Sequence, residues 1–309
     1  MRQAPKLGLG TVQFGMDYGV SNQHGQCPPE EVERILGHAA KGNFVVLDTA
    51  AAYGASEATL GKCLPPDHAF RVVTKAPPLK CPEATQSAVE MLFENFERSL
   101  ERLGQKSVHG LLVHRGNDLM GPGGQAVWQG MERLRDMGRV TRIGASAYCA
   151  EEIETLIDCY PLEIIQTPFN AFDQSLGESG CLQRLKNSGV EIHVRSAFLQ
   201  GVLLMAPDDL PDHLAPAHPA LEAWRNELAK HGLSPLEGAL AFVRQWPAID
   251  VMVLGVTRTA ELLEIERAAS VPIPKAIDWS QFAVRDPAII DPRSWPTVRQ
   301  DAQQGDHAA

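Results

Sequence analysis

The sequence predicts an α/β chain closed into a single-domain (β/α)8 TIM barrel. Two observations carry that expectation. Eight short apolar segments rich in β-formers alternate for the most part with amphipathic helices, an order that implies parallel strands joined by crossover helices. The chain has 309 residues, the length of one such barrel. A doubly wound open sheet is the alternative. Residues 1–309 read as one domain, with a loop insertion near 200–220. A C-terminal segment, 272–309, is expected over the barrel mouth or partly disordered.

The first strand covers Lys6–Thr11. Its glycines do not make a dinucleotide fingerprint, because Gln13 stands where the third glycine would fall after Gly8 and Gly10. A Gly-rich loop from Val12 to Cys27 carries Phe14, Asp17, Tyr18 and His24. Pro28 and Pro29 open a helix that runs to about Ala40. The run Phe44-Val45-Val46-Leu47 is a buried strand ending at Asp48. Tyr53 follows five residues later, then Gly54 for a tight backbone, then Ser56-x-x-Thr59 opening a helix to Leu64. Arg71–Lys75 is the next strand. A helix from about Glu83 to Leu103 aligns Val89, Leu92, Phe93, Phe96 and Leu100 on one face and stops at Gly104.

The pattern repeats downstream. Strand Val108–Val113 exits at His114, and a helix spans about Gln125 to Met137. Strand Val140–Ala145 exits at Ser146, and a helix covers Ala150–Cys159. Strand Glu163–Gln166 leads to a helix near Gly180–Asn187, and Val190–Val194 exits at Arg195-Ser196. Beyond a Pro-, Asp- and His-rich stretch come helices near Leu221–His231 and Pro235–Gln245. Strand Asp250–Leu254 and helix Thr259–Ala269 complete the barrel, and 303–309 are expected to fray.

Composition narrows the function. The net charge is −10 and the basic residues are scattered, so the clustered cations that nucleic-acid binding needs are missing. The six cysteines show no C-x-x-C spacing, and neither disulfides nor a metal site is expected. No apolar run reaches membrane-spanning length and no secretory signal is visible, so a cytoplasmic protein is expected.

Asp48, Lys75, His114, Ser146, Gln166 and Arg195 all fall at strand exits, where a (β/α)8 barrel keeps its active site. Each has a plain structural reading alone: a helix cap, a surface lysine, a core histidine, loop polars, an ion pair. Their coincidence on one rim points to chemistry. A free tyrosine titrates near ~10, too high for acid–base work at neutral pH. A lysine ammonium against the phenol oxygen favours the phenolate, and Asp48 would keep that lysine charged and aimed. His114 could orient a carbonyl oxygen. Such a set can protonate an oxygen as hydride reaches its carbon.

The motifs Leu7-Gly8-Leu9-Gly10-Thr11, Leu47-Asp48-Thr49-Ala50-x-x-Tyr53-Gly54-x-Ser56-Glu57-x-x-Leu60-Gly61, Val73-Thr74-Lys75, Leu111-Leu112-Val113-His114-Arg115 and Ile143-Gly144-x-Ser146 resemble the aldo-keto reductases, in order from about residue 6 to 270. The resemblance implies a (β/α)8 barrel that uses NADPH without a Rossmann motif. It makes Tyr53 the general acid/base, tuned by Lys75 and Asp48, with His114 orienting the carbonyl. Ser146 and Gln166 match positions that hold the nicotinamide carboxamide, and Ser196 and Thr11 join them as cofactor candidates. Arg195 falls where many members place a stacking aromatic, a role a planar guanidinium can take.

Three departures stand out. Ala147 replaces a common asparagine, Ile265 replaces another, and Glu261 stands where many members carry a basic residue for the 2′-phosphate. Arg258 lies near enough to substitute, because an Arg fork suits phosphate. NADPH (NADP+) is therefore the expected cofactor, with NADH the alternative. Phe14, Tyr18 and Arg115 are the candidate substrate contacts, although Phe14 serves equally well as filling for the barrel mouth.

The expected activity is reduction of a small aldehyde, ketone or sugar, or the reverse oxidation, by a monomer. A nucleotide-binding regulator with little turnover is the main competing reading. An aldolase with Lys75 as Schiff-base lysine is a third, disfavoured by the spacing of Asp48 and Tyr53.

Overall fold

The computed structural model describes residues 5–22, 24–65, 67–78 and 85–296. The expected helix start at Glu83 and the expected fraying of 303–309 lie outside the described residues.

Eight strands form one closed, all-parallel barrel in chain order. They are β1 Lys6–Gly10, β2 Phe44–Asp48, β3 Arg71–Ala76, β4 Val108–Val113, β5 Val140–Ser146, β6 Ile164–Pro168, β7 Glu191–Arg195 and β8 Val251–Gly255. Closure comes from β8 pairing with β1, with Gly10 opposite Gly255. The open-sheet alternative is thereby removed. Crossover helices follow the strands, among them Pro29–Ala39, Ser56–Cys63, Thr85–Leu103 and Thr259–Ala269.

Two apolar layers separate cleanly. Val46, Val73, Leu112, Ile164, Val251 and Val253 form a small cluster of their own, distinct from the large one that packs helices against strands. Because side chains alternate along a strand, the small cluster is the barrel interior. Two residues further along, the same parity carries Asp48, Lys75 and Gln166 inward at the mouth.

Between β7 and β8 the chain is longest. Three short 3-10 turns, Leu199–Leu204, Pro207–Asp209 and Asp212–Ala217, lead into the helix His218–Lys230. That helix begins earlier than its apolar periodicity indicates because Pro219 sits in its first turn, where a missing N–H costs nothing. The next helix, Pro235–Arg244, starts with a capping box between Ser234 and Glu237. The described part of the C-terminal segment packs beside these loops: Gln174 Nε2 donates to Trp279 O at 2.7 Å, and the Trp279 and Phe282 rings lie against Trp224.

Candidate active site

A cavity of about 550 Å³ opens at the C-terminal ends of the strands, a volume typical of small-molecule sites. Asp48 and Lys75 are buried in its floor. Lys75 Nζ donates to both Asp48 carboxylate oxygens at 2.8 Å and to Thr49 O at 3.0 Å. Gln166 Nε2 donates to Asp48 Oδ1 at 2.6 Å. Nζ also lies 4.9 Å from the centre of the Tyr53 ring, and the His114 ring meets Tyr53 edge-on with centroids 5.8 Å apart. The structure therefore brings Asp48, Tyr53, Lys75 and His114 together.

Electrostatics set the charge states. Burial pushes Lys75 towards its neutral form, but the Asp48 carboxylate and the Tyr53 oxygen outweigh it and hold the ammonium above its ordinary pKa. Burial, then the nearby Lys75 cation, lowers His114 from 6.5 to about 4. At neutral pH the site thus sets the Lys75 ammonium beside an uncharged His114 imidazole.

The loop that presents Tyr53 is pinned to three strands. Ser56 Oγ meets Thr11 Oγ1 at 2.8 Å, Thr49 Oγ1 at 3.0 Å, and donates to Thr11 O at 2.8 Å. Glu57, buried, takes Arg102 Nη2 at 2.6 Å and Thr74 Oγ1 at 2.6 Å. Gly54 adopts φ +54°, and a Cβ there would collide with Gly15 O, just as one on Gly15 would collide with Tyr53 O. Only two glycines permit that approach. Ser56, Glu57 and Gly15 thus act by holding the Tyr53 loop, a role visible only once their distant partners are placed.

The other candidates divide. Thr11, Ser146, Gln166, Arg195 and Ser196 line the cavity, as does Tyr18, whose hydroxyl accepts from Gln200 Nε2 at 3.3 Å. The Thr11 hydroxyl is already donated to Asp48 O at 2.9 Å. Phe14 does not reach the cavity: the short helical turn Val12–Gly15 directs it into the core, where it is fully buried. Arg115 is exposed outside the lining. Arg258 is exposed as well, its Nη2 2.9 Å from His24 Nδ1. Ala147 is buried and brings no amide to the floor.

Sequence reasoning missed Tyr148. It lines the cavity with a guanidinium on its ring from Arg195, at 4.3 Å, and another from Arg293, at 3.8 Å. Its place two residues beyond the β5 exit residue Ser146 was the available signal. The loop after β7 was also underread: Ser196, Leu199 and Gln200 have φ of 58°, 48° and 53°, strained backbone of the kind that gathers at functional sites.

The aldo/keto reductase family model matches residues 6–279. The aldo-keto reductase YhdN of Bacillus subtilis (strain 168) is 25% identical over 284 residues, covering 84% of this chain and 83% of that protein. An aldo-keto reductase of Mycobacterium tuberculosis (strain H37Rv) is 32% identical over 158 residues, covering 50% of this chain and 49% of that protein. Among solved structures, an aldo-keto reductase from Bacillus halodurans in its holo form superposes with a TM-score of 0.72 at 17% identity, over 93% of this chain and 95% of that one. A glycerol dehydrogenase from Gluconobacter oxydans gives 0.68 at 19%, over 88% of each. At such identities the structural likeness shows the shared fold alone. With its closed barrel and a family match over nearly its whole length, this chain belongs to the aldo/keto reductase family.

Proposed function

We propose that the protein reduces a small aldehyde, ketone or sugar to the alcohol, or runs the reverse oxidation, with Tyr53 as the proton donor and acceptor. The observation that carries this reading is the buried Lys75–Asp48 pair set against Tyr53 and His114 on the floor of one cavity. A nicotinamide dinucleotide, when bound, supplies or takes the hydride.

The residues fit such a partner. Gln166 Oε1 is buried, in the cavity lining, with no hydrogen-bond partner among the described residues. A carboxamide N–H₂ is the kind of donor that would satisfy it. Ser146 beside it on β5, and Arg195 and Ser196 at the end of the adjoining β7, would hold the rest of the ring and its linker. Thr11 contributes chiefly to the wall, since its hydroxyl is engaged.

The carbonyl oxygen would accept hydrogen bonds from the Tyr53 hydroxyl and from neutral His114. As negative charge builds on that oxygen, Tyr53 gives up its proton. The Lys75 ammonium stabilises the phenolate left behind, and Asp48 keeps Lys75 protonated and fixed. Tyr18 offers an aromatic face to a substrate at the mouth, while the Tyr148 ring is taken by Arg195 and Arg293. The setting this reading implies is a cytoplasmic monomer acting on small molecules.

The test pairs turnover with binding. Wild type and Tyr53→Phe are assayed against an aldehyde and sugar panel while nucleotide binding is followed by fluorescence. Turnover is expected to fall at least ~100-fold in the variant with binding unchanged. Nucleotide bound without turnover in the wild type would favour the regulatory reading instead.

A further inference from the structure

The cavity is not chemically uniform. From its floor it continues past the β7 exit to the β8 exit and the first turns of the helix Thr259–Ala269, lined there by Val256, Glu261, Glu264 and Ile265. Of all its lining residues only Lys75 and Arg195 are Lys or Arg. Lys75 is neutralised by Asp48, and Arg195 rests on Tyr148 away from β8. The β8 end therefore presents carboxylates and no lining cation.

Two backbone N–H groups at the start of that helix are already taken by carboxylates. Thr257 N donates to Glu261 Oε2 at 2.7 Å, and Thr257 Oγ1 approaches Glu261 Oε1 at 3.1 Å. Thr259 N donates to Glu31 Oε1 at 2.6 Å. These two N–H groups, of the kind that meet a phosphate at a helix start, meet protein carboxylates instead. Arg258, which precedes the helix, is turned to His24.

A dinucleotide whose reactive ring was held at Gln166 and whose length followed the cavity past β7 would bring its adenosine to this end. A 2′-phosphate brings about −1.5 to −2 charges at neutral pH. A free ribose 2′-hydroxyl brings a donor instead, and Glu261 has acceptor capacity to spare, since a carboxylate offers about four lone-pair sites.

We propose that this barrel selects NADH over NADPH, with Glu261 as the residue that discriminates between them. The inference rests on the dinucleotide-dependent reading above. Glu261 accepts from the adenosine 2′-hydroxyl and repels a phosphate in that place, and Glu264 adds charge of the same sign on the lining, whereas Glu31 is paired with Arg34 at 3.1 Å.

The experiment is titration of NADH and NADPH into the full chain, read by quenching of tryptophan fluorescence and repeated in Glu261→Gln and Glu261→Arg. NADH is expected to bind wild type at least ~10-fold more tightly. Glu261→Gln should narrow the ratio, and Glu261→Arg should close or invert it. The wild-type ratio stands whether or not either variant folds. NADPH binding that is equal or tighter in the wild type overturns the inference while leaving the reductase reading intact, and so does NADPH affinity lost selectively in Arg258→Ala. If neither nucleotide binds, both fall together.

Discussion

Among the described residues a charge cluster lies at each end of the barrel, buried at the mouth and largely buried at the other end. At the mouth, Lys75 and Asp48 pair at 2.8 Å. At the opposite end, Glu191 receives His193 Nε2 at 2.9 Å, His109 Nε2 at 3.1 Å and Arg142 Nε at 2.8 Å. Burial alone would raise the Glu191 carboxyl, but the hydrogen bonds from His109 and His193 hold it far below its usual range. A cleft of about 610 Å³ adjoins this lower cluster, so an opening does not distinguish the two. What differs is the company. The carboxylate of Glu191 is ringed by three donors that tie strands together, whereas the mouth pair abuts a phenol and an uncharged imidazole on the cavity wall. A buried ion cluster is therefore no sign of catalysis by itself. It becomes one where reactive groups face a space a substrate can enter.

Breaking each cluster should sharpen the contrast. The largest effect is expected from Lys75→Met, which leaves Asp48 buried without its cation. Turnover should fall at least ~100-fold, and stability by about 3–5 kcal/mol, read by single-turnover kinetics and urea unfolding. Glu191→Gln should act on stability alone. Loss of the charged acceptor for His109, His193 and Arg142 should lower the unfolding free energy by about 2 kcal/mol, with turnover per folded molecule retained.

The smallest effect per step is a pH slope. His114 is held near 4 in the folded chain against 6.5 in the unfolded one. Between those values the unfolded chain binds the extra proton. Stability is therefore complete above about 6.5 and declines as pH drops towards 4, by no more than ~1.4 kcal/mol per pH unit. Glu191 adds to the loss below the ordinary carboxylate range, because its folded pKa is depressed. Urea midpoints across pH 4 to 7 in wild type and His114→Gln check this: the His114 share of the slope should vanish in the variant.

The strand exits were legible because a polar residue closing an apolar run is a local event. Asp48, Ser146 and Arg195 do end their strands, whereas β3 runs one residue past Lys75 and β6 two past Gln166. Loop side chains were not legible. Phe14 and Tyr18 share one Gly-rich loop, yet only Tyr18 lines the cavity. The turn that buries Phe14 is four residues long, too short for any periodicity to show. Its close approach to Tyr53 and Gly54 depends on a contact across nearly forty residues. Arg258 and Arg115 carried the right charge near the right strands, but direction on an exposed loop is settled by neighbours such as His24. Glu57 reads as an ordinary first-turn acid until Arg102 is set beside it.

The most direct test of the division between the two ends is kinetic and urea-unfolding measurement on Tyr53→Phe and Glu191→Gln, side by side with wild type. Tyr53→Phe should lose turnover while unfolding as the wild type does, and Glu191→Gln should unfold more readily while turning over normally when folded. Carbonyl turnover that survives in Tyr53→Phe, or is lost in folded Glu191→Gln, would contradict the account.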